Sequence, residues 1–338
     1  MKPGALATFA PAMMRERISI ALKGAAMGMA EVVPGVSGGT IAFVTGIYER
    51  LLEAITAFDP RLLSVWREGG LRAVWLEIQG PFLVNLLVGM LGGLIVGVFA
   101  ITYFLAEYPP VVWAFFFGLI LASSWYIGRM ISPWSWQEIV AVLAGLVIAL
   151  AIVTGAPAQG NTALWFVFVS GVIAISALLL PGVSGSFILL LLGMYGYVIP
   201  TVKAALSGAG AEAWSVLLVF GLGCLTGLAT FSRVLSWLFE RFPQVTLALL
   251  TGFMMGSLYK LWPWRVVTDY LTDGTGARVL DEAGEPRVIA EALVWPADYA
   301  AKAGEPAYLA AAVAALVAGA ALVYGLSLAE RSPVGDGD

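Results

Sequence analysis

The sequence predicts an all-α polytopic membrane protein made of two inverted repeats, each one re-entrant (broken) helical hairpin plus three transmembrane helices. Three observations carry this. Of 338 residues, 60% are hydrophobic and only 12% charged, against about 25% charged in a soluble domain. So little charge cannot cover a water-facing surface. The run Pro-Gly-Val-Ser-Gly interrupts apolar sequence twice, at 34–38 and at 181–185. The flanks of the two runs also match in order. A shift of 147 carries Pro34 to Pro181, Gly24 to Gly171, Gly46 to Gly193 and Tyr48 to Tyr195. Farther on, a shift of 134 carries Gly89 to Gly223, Gly93 to Gly227, Pro109 to Pro243 and Gly118 to Gly252. Matches concentrated on Gly and Pro mark an internal duplication.

The first hairpin is 18–47. Its apolar segment 18–33 is ~24 Å long at ~1.5 Å per residue, short of the ~30 Å hydrocarbon core. Pro34 and Gly35 stop it, and 37–47 runs back. Either the chain turns halfway or it makes two thin full spans; both return it to the starting side. Residues 49–80 mix charges and lie at the surface. Spans follow at 82–105, whose glycines allow close helix packing, and at 111–127, so that the first part of repeat 1 is 1–137. Trp134 and Trp136 sit where aromatic belts lie. Residues 138–162 close the repeat with a span at 139–153. Repeat 2 is 163–338. It has hairpin 164–199, spans 214–239 and 245–261, a polar insert 262–305 and a last span 307–328.

Each repeat crosses an odd number of times, so the second lies upside down, the plan of many secondary transporters. With both termini cytoplasmic, most Lys and Arg fall inside and the short outer loops hold only Lys203, as the positive-inside rule asks. The insert is then outside. Residues 1–17 lack a signal-peptide core and are read as mature sequence.

Composition also excludes chemistry. There is one cysteine, Cys224, and no histidine, so an internal disulfide is impossible and a histidine-built zinc or acid–base site is excluded. No nucleotide loop, nucleic-acid motif or metal cluster is present, and no cofactor is expected. A membrane enzyme would need a nucleophile with a base, and intramembrane acids are few.

Broken helices persist in hydrocarbon only where they are buried in protein or line a wet cavity. The two tips, entering from opposite faces, should meet near the midplane. Helix N-termini there would offer N–H groups and partial positive charge to an anion. The candidate phosphate cradle is Gly35, Val36, Ser37, Gly38, Gly39 and Thr40 with Gly182, Val183, Ser184, Gly185 and Ser186. Against this stands the plainer reading that the breaks are capped kinks. Pro34 and Pro181 set the breaks and are gating candidates. Glu31, whose repeat partner is Leu178, is either a coupling carboxylate for H+ or Na+ or a group that bonds the broken backbone. Arg233, inside span 214–239, either pairs with phosphate or snorkels to the interface. Lys23 and Arg129 read as interfacial anchors.

The pairs Lys23-Gly24, Met27-Gly28 and Ala30-Glu31, the run 33–40, Gly46-Ile47-Tyr48-Glu49, the run 180–187 and Gly193-Met194-Tyr195 resemble the bacterial polyprenyl-phosphate (undecaprenyl-phosphate) transporter family, formerly a domain of unknown function. The resemblance covers about residues 15–262. It implies a flippase of the bacterial cytoplasmic (inner) membrane. Such a protein returns undecaprenyl phosphate from the outer to the cytoplasmic leaflet for peptidoglycan and other envelope polymers. The residues alone reach an anionic substrate at crossed half-helix tips, and a small-anion transporter would use the same cradle. Neither source fixes the oligomeric state.

Overall fold

The computed structural model describes residues 3–33, 36–155, 158, 160–208, 210–270 and 288–331. The first hairpin is α1 (Pro3–Glu31), a break, α2 (Gly38–Val44) and α3 (Tyr48–Thr56). The second is α8 (Leu164–Leu179), a break, α9 (Gly185–Leu191) and α10 (Tyr195–Leu206). Seven-residue helices such as α2 and α9 are ~10 Å long and cannot cross a bilayer alone. Each ends at a glycine with positive φ, Gly46 (69°) and Gly193 (68°), a conformation glycine adopts without the clash of a Cβ. These two positions are equivalent under the shift of 147. Between α9 and α10 the chain bends by 118°. The helix α1 begins well ahead of the expected start at 18.

The surface segment α4 (Leu62–Glu77) leads to α5 (Gly80–Glu107), α6 (Pro109–Gly128) and α7 (Trp136–Val153). After the second hairpin come α11 (Ala211–Arg241), α12 (Pro243–Ser257) and, beyond the insert, α14 (Leu309–Arg331). Among the described residues, five stretches are long and apolar enough to cross a membrane: α5 with α4, α6, α7, α11 and α14. The bent α9–α10 pair would make a sixth. The expected span 245–261 is a helix of 15 residues, Pro243–Ser257, ~22 Å long. Leu87, Val88, Leu91, Ile95 and Phe99 of α5 are exposed. Large apolar surface of this kind marks a face that meets lipid.

Glycines set how the helices pair. On α1 and α5, a Cβ at Gly24 would strike the Leu86 carbonyl, one at Gly89 the Ala21 carbonyl and one at Gly93 the Ala25 carbonyl. On α8 and α11, Gly171 meets Phe220, Gly223 meets Phe168 and Gly227 meets Val172 in the same way. These are the α1–α5 contacts moved by the two sequence shifts. Likewise Gly118 of α6 lies against Leu316 of α14, and Gly252 of α12 against Val142 of α7. Even alanine at these positions would push the backbones apart, losing the close approach through which membrane helices associate.

The insert is more than the polar loop expected. It carries an antiparallel pair, β1 (Arg265–Tyr270) and β2 (Val288–Leu293), in which Arg265 faces Leu293 and Val267 faces Glu291, followed by α13 (Pro296–Ala303). Trp264, Val294 and Tyr299 pack with Ala114 of α6 and Ala312 of α14. The Trp262 indole donates to the Val294 carbonyl at 2.9 Å and that of Trp264 to the Ala307 carbonyl at 2.9 Å. The insert is thereby fixed to the ends of two spans.

Candidate substrate site at the crossed hairpins

The two tips meet inside the protein. Ser37 and Thr40 are 0% and 1% exposed. Val33, Val36, Ile41, Leu179, Val183 and Ile188 share one apolar core around them. Burial of this kind is what makes broken backbone tolerable at membrane depth.

Among the described residues, three hydrogen bonds join the tips. The Ser37 hydroxyl donates to the Leu178 carbonyl at 3.1 Å. The Gly182 N–H donates to Thr40 Oγ1 at 2.8 Å. The Tyr48 hydroxyl donates to the Leu179 carbonyl at 2.5 Å. Each pairs a side chain of the first hairpin with backbone of the second, so a sequence-remote junction is held by backbone groups that the break itself set free. Gly39 allows the approach, because a Cβ there would stand 2.5 Å from the Leu178 carbonyl. Gly182 has φ of 86° and presses on α12, where a Cβ would lie 2.8 Å from the Phe253 carbonyl.

Helix-start donors at both tips, Gly38 and Gly39 N–H in the first and Phe187 N–H in the second, already have acceptors. Ser37 accepts from Gly39 N at 3.1 Å as N-cap of α2. Glu31 Oε1 accepts from Gly38 N at 2.6 Å, so the carboxylate does bond the broken backbone. Ser184 caps α9, accepting from Phe187 N at 3.5 Å, and its hydroxyl shares a 2.9 Å bond with that of Ser186. The tips therefore stand here as a closed junction. Gly185 packs on the Ala174 carbonyl. Val36 and Val183 are buried, which leaves only their backbone for a ligand. Pro181 is buried at the second break, and Pro34 and Gly35 lie outside the described residues.

Of the expected site residues, Arg233 is not brought to the tips. It is exposed on α11 and donates to the Ala229 carbonyl at 2.6 Å and the Phe58 carbonyl at 3.0 Å. It ties α11 to the chain just past α3. Lys23 is no mere interfacial anchor: its Nζ donates to the Thr45 carbonyl at 2.5 Å, placing a cation at the C-terminus of α2. Sequence reasoning also missed Tyr48, although its match to Tyr195 was visible.

A second polar cluster, unforeseen, lies where the insert meets α9 and α12. Lys260 Nζ and Arg265 Nη1 both donate to Glu291 Oε2 at 2.9 Å. Arg265 stacks 4.1 Å over the Trp113 ring and Lys260 lies 5.5 Å over that of Phe187. Burial alone would raise the Glu291 carboxyl, but the two cations hold it below the usual carboxylate range. Among the described residues no group of His, Cys, Asp and Glu is placed to hold a metal ion.

The chain is similar to known proteins over most of its length. The chain is 40% identical over 309 residues to a polyprenyl-phosphate transporter of Vibrio cholerae serotype O1, covering 91% of this chain and 96% of that protein. It is 33% identical over 258 residues to a polyprenyl-phosphate transporter of Staphylococcus aureus, covering 72% and 85%. No solved structure matches it. Residues 27–279, which hold both hairpin tips, match the family described as undecaprenyl phosphate translocase-like; with that match and these two relatives, transporters rather than enzymes by name, the chain belongs to this family.

Proposed function

We propose that this chain carries polyprenyl phosphate across the bacterial cytoplasmic membrane. It returns the lipid from the outer to the cytoplasmic leaflet by alternating access around the crossed tips. The relatives suggest the lipid. The observation that carries the mechanism is the junction in which Ser37, Thr40 and Tyr48 of one hairpin bond backbone of the other.

Inversion of the repeats has its own support. Gly252 lies against Val142 and Gly256 against Leu146, so α7 and α12 run parallel. Consecutive spans reverse direction, which makes α5 parallel to α7 and α11 opposed to α12. The equivalent helices α5 and α11 therefore run in opposite senses, as inverted repeats require. On this reading both termini are cytoplasmic and the insert is outside.

A phosphate head at the junction would replace internal acceptors. Gly38 N now bonds Glu31, Gly39 N bonds Ser37 and Gly182 N bonds Thr40. The oxygens of one phosphate can accept all three donors, in the manner of phosphate at exposed backbone N–H groups. Binding thus exchanges one tip-to-tip bond, Gly182 to Thr40, and two bonds within the first tip for bonds to phosphate, which loosens the junction, while the prenyl tail stays in lipid. Displaced Glu31 would face a like charge, so taking up H+, or a Na+ counterion, lowers the cost of that state; this is its coupling role. Pro34 and Pro181 keep the two breaks from healing into helix. Arg233 acts at the α11–α3 seam.

The test is reconstitution into liposomes loaded with undecaprenyl phosphate on one leaflet. Movement between leaflets is followed with and without proton and sodium gradients. Movement that depends on the protein and is lost in Ser37→Ala with Thr40→Val supports the reading. Equal movement in protein-free liposomes, or full activity of the double variant, overturns it.

A further inference from the structure

The geometry points to a phosphomonoester-binding site outside the crossed tips, built from Lys260 and Arg265 at the mouth of the second hairpin, with Glu291 holding the place of the phosphate. A cavity of about 360 Å³ opens there, lined by Phe187 and Leu191, Tyr259 and Lys260, and Arg265 and Glu291 of the insert. Its volume is in the range of small-ligand pockets.

Its charges are unbalanced in a telling way. Two cations converge on a single oxygen, Glu291 Oε2, so the cluster keeps a formal charge of one positive unit. Arg265, whose side chain is 7% exposed, leaves its Nε–H with no acceptor although that atom is buried. A buried donor without a partner is costly, and guanidinium forks suit the oxygens of a phosphate. A phosphomonoester dianion carries the two negative charges that balance Lys260 and Arg265 together, which the monovalent Glu291 does not do.

The place also fits. Phe187, under Lys260, lies on the first turn of α9 next to exposed Ser186, so the cavity reaches the outer end of the second tip. The glutamate comes from β2 and Arg265 from the start of β1, both in the insert, while Lys260 lies just past α12, so displacing Glu291 frees the Lys260 wall of the cavity from the insert. The site is where a head group would be captured before it reaches the tips. Its ligand's identity as a lipid rests on the transport reading; its chemistry as a phosphomonoester site does not.

The test uses the full chain in nanodiscs and titration calorimetry with farnesyl phosphate, inorganic phosphate and farnesol. Wild type should bind farnesyl phosphate and ignore farnesol. Lys260→Met should weaken binding at least ~10-fold and Lys260→Arg should restore most of it, as expected for one charge-assisted bond. Glu291→Gln, which removes the competing carboxylate, should tighten binding by about tenfold. That gain is a result a merely structural ion pair cannot produce, and it keeps the test decisive if Lys260→Met misfolds. Equal affinity in wild type and Glu291→Gln, or loss of binding in Glu291→Gln, overturns the site. Farnesyl phosphate binding far tighter than inorganic phosphate assigns the lipid head as the source, while equal binding assigns free phosphate. If the site binds as described but wild type moves no polyprenyl phosphate, the transport reading falls and the site stands. If wild type transports and Glu291→Gln binds unchanged, the reverse holds.

Discussion

Thr40→Val tests the junction most directly, because it removes one hydroxyl and almost no volume. Thr40 Oγ1 is the acceptor for the Gly182 N–H at 2.8 Å. Gly182 is buried and held in place: its φ is 86° and its Cα side is pressed on Phe253 and Met254. The substitution therefore strands a buried donor, at a cost of about 1–3 kcal/mol. The control is Thr45→Val. The Thr45 hydroxyl is also buried, but it donates to the Ile41 carbonyl at 2.7 Å, and that carbonyl keeps the Thr45 backbone N–H at 2.9 Å. No group is orphaned there, so the cost should be about 0.5 kcal/mol or less. Reversible unfolding in mixed micelles measures both, and hydrogen exchange at Gly182 should speed roughly 5–150-fold in Thr40→Val alone. If the two variants agree within about 0.5 kcal/mol and Gly182 exchanges as in wild type, the tips are not joined as described.

Four further outcomes follow from other residues. Glu31→Gln keeps an acceptor for Gly38 N, so it should insert and fold normally while losing gradient-driven transport; Glu31→Leu, the residue of the other repeat, should also lose about 1–3 kcal/mol of stability. Full activity of Glu31→Gln in the leaflet assay removes its coupling role. Gly193→Ala should cost more than Gly46→Ala in thermal stability: both take a positive φ, a strain of about 1–2 kcal/mol for a residue with a Cβ, but Gly46 is exposed while a new methyl at 193 strikes backbone at Ala158 and Gly160. The hold of Glu291 on the insert depends on pH. Its folded-state carboxyl is lowered from 4.5 by Arg265 and Lys260 against the opposing effect of burial, so the stabilisation is complete above that ordinary value and fades as pH falls through the lowered one. Acid-induced loosening of the insert, read by hydrogen exchange at Val288–Leu293, should be absent in Glu291→Gln. Arg233→Ala should slow transport without preventing insertion, since it cuts the tie between α11 and Phe58; unchanged transport takes Arg233 out of the mechanism.

Much of this was legible in the sequence because membranes restrict what backbone can do. Apolar length marks a span, and a Pro-Gly break inside it must be buried, so both tips and the order of helices could be placed. Glycines at matched shifts became the helix contacts, because close packing in lipid leaves few other ways to associate. What stayed hidden depends on which groups fold against one another. The strands of the insert are six residues each and separated by a long polar stretch, and the Trp262 and Trp264 bonds that anchor the insert reach residues 32 and 43 positions away. Lys23 looked like an anchor because its carbonyl partner, on Thr45, becomes free only where α2 ends.

The hidden feature with most bearing on transport is that, among the described residues, the junction is one-sided. In a fully symmetric pair of repeats, every bond from the first tip to the second would have a counterpart running back. Ser37, Thr40 and Tyr48 correspond to Ser184, Phe187 and Tyr195. Ser184 is turned to Ser186 and Phe187 within its own tip; Phe187 has no side-chain acceptor to offer; Tyr195 is 41% exposed. The asymmetry is partly written into the chain, through Thr40 against Phe187 and Glu31 against Leu178, and partly conformational, through Tyr48 against Tyr195. Alternating access needs the conformational part. If two inverted halves exchange roles, the hairpin that grips in one state must be the one that is exposed in the other. Here the second hairpin is the exposed one, with Ser186 and Tyr195 open and Phe187 lining the cavity under Lys260. The opposite state is then one in which the tyrosine of the second hairpin is buried and Tyr48 is released. A cysteine at position 195 should accordingly lose reactivity toward a membrane-impermeant thiol reagent when substrate and gradient drive turnover, with Cys224 replaced by serine. A reactivity that does not change under turnover would mean that the two hairpins do not exchange roles.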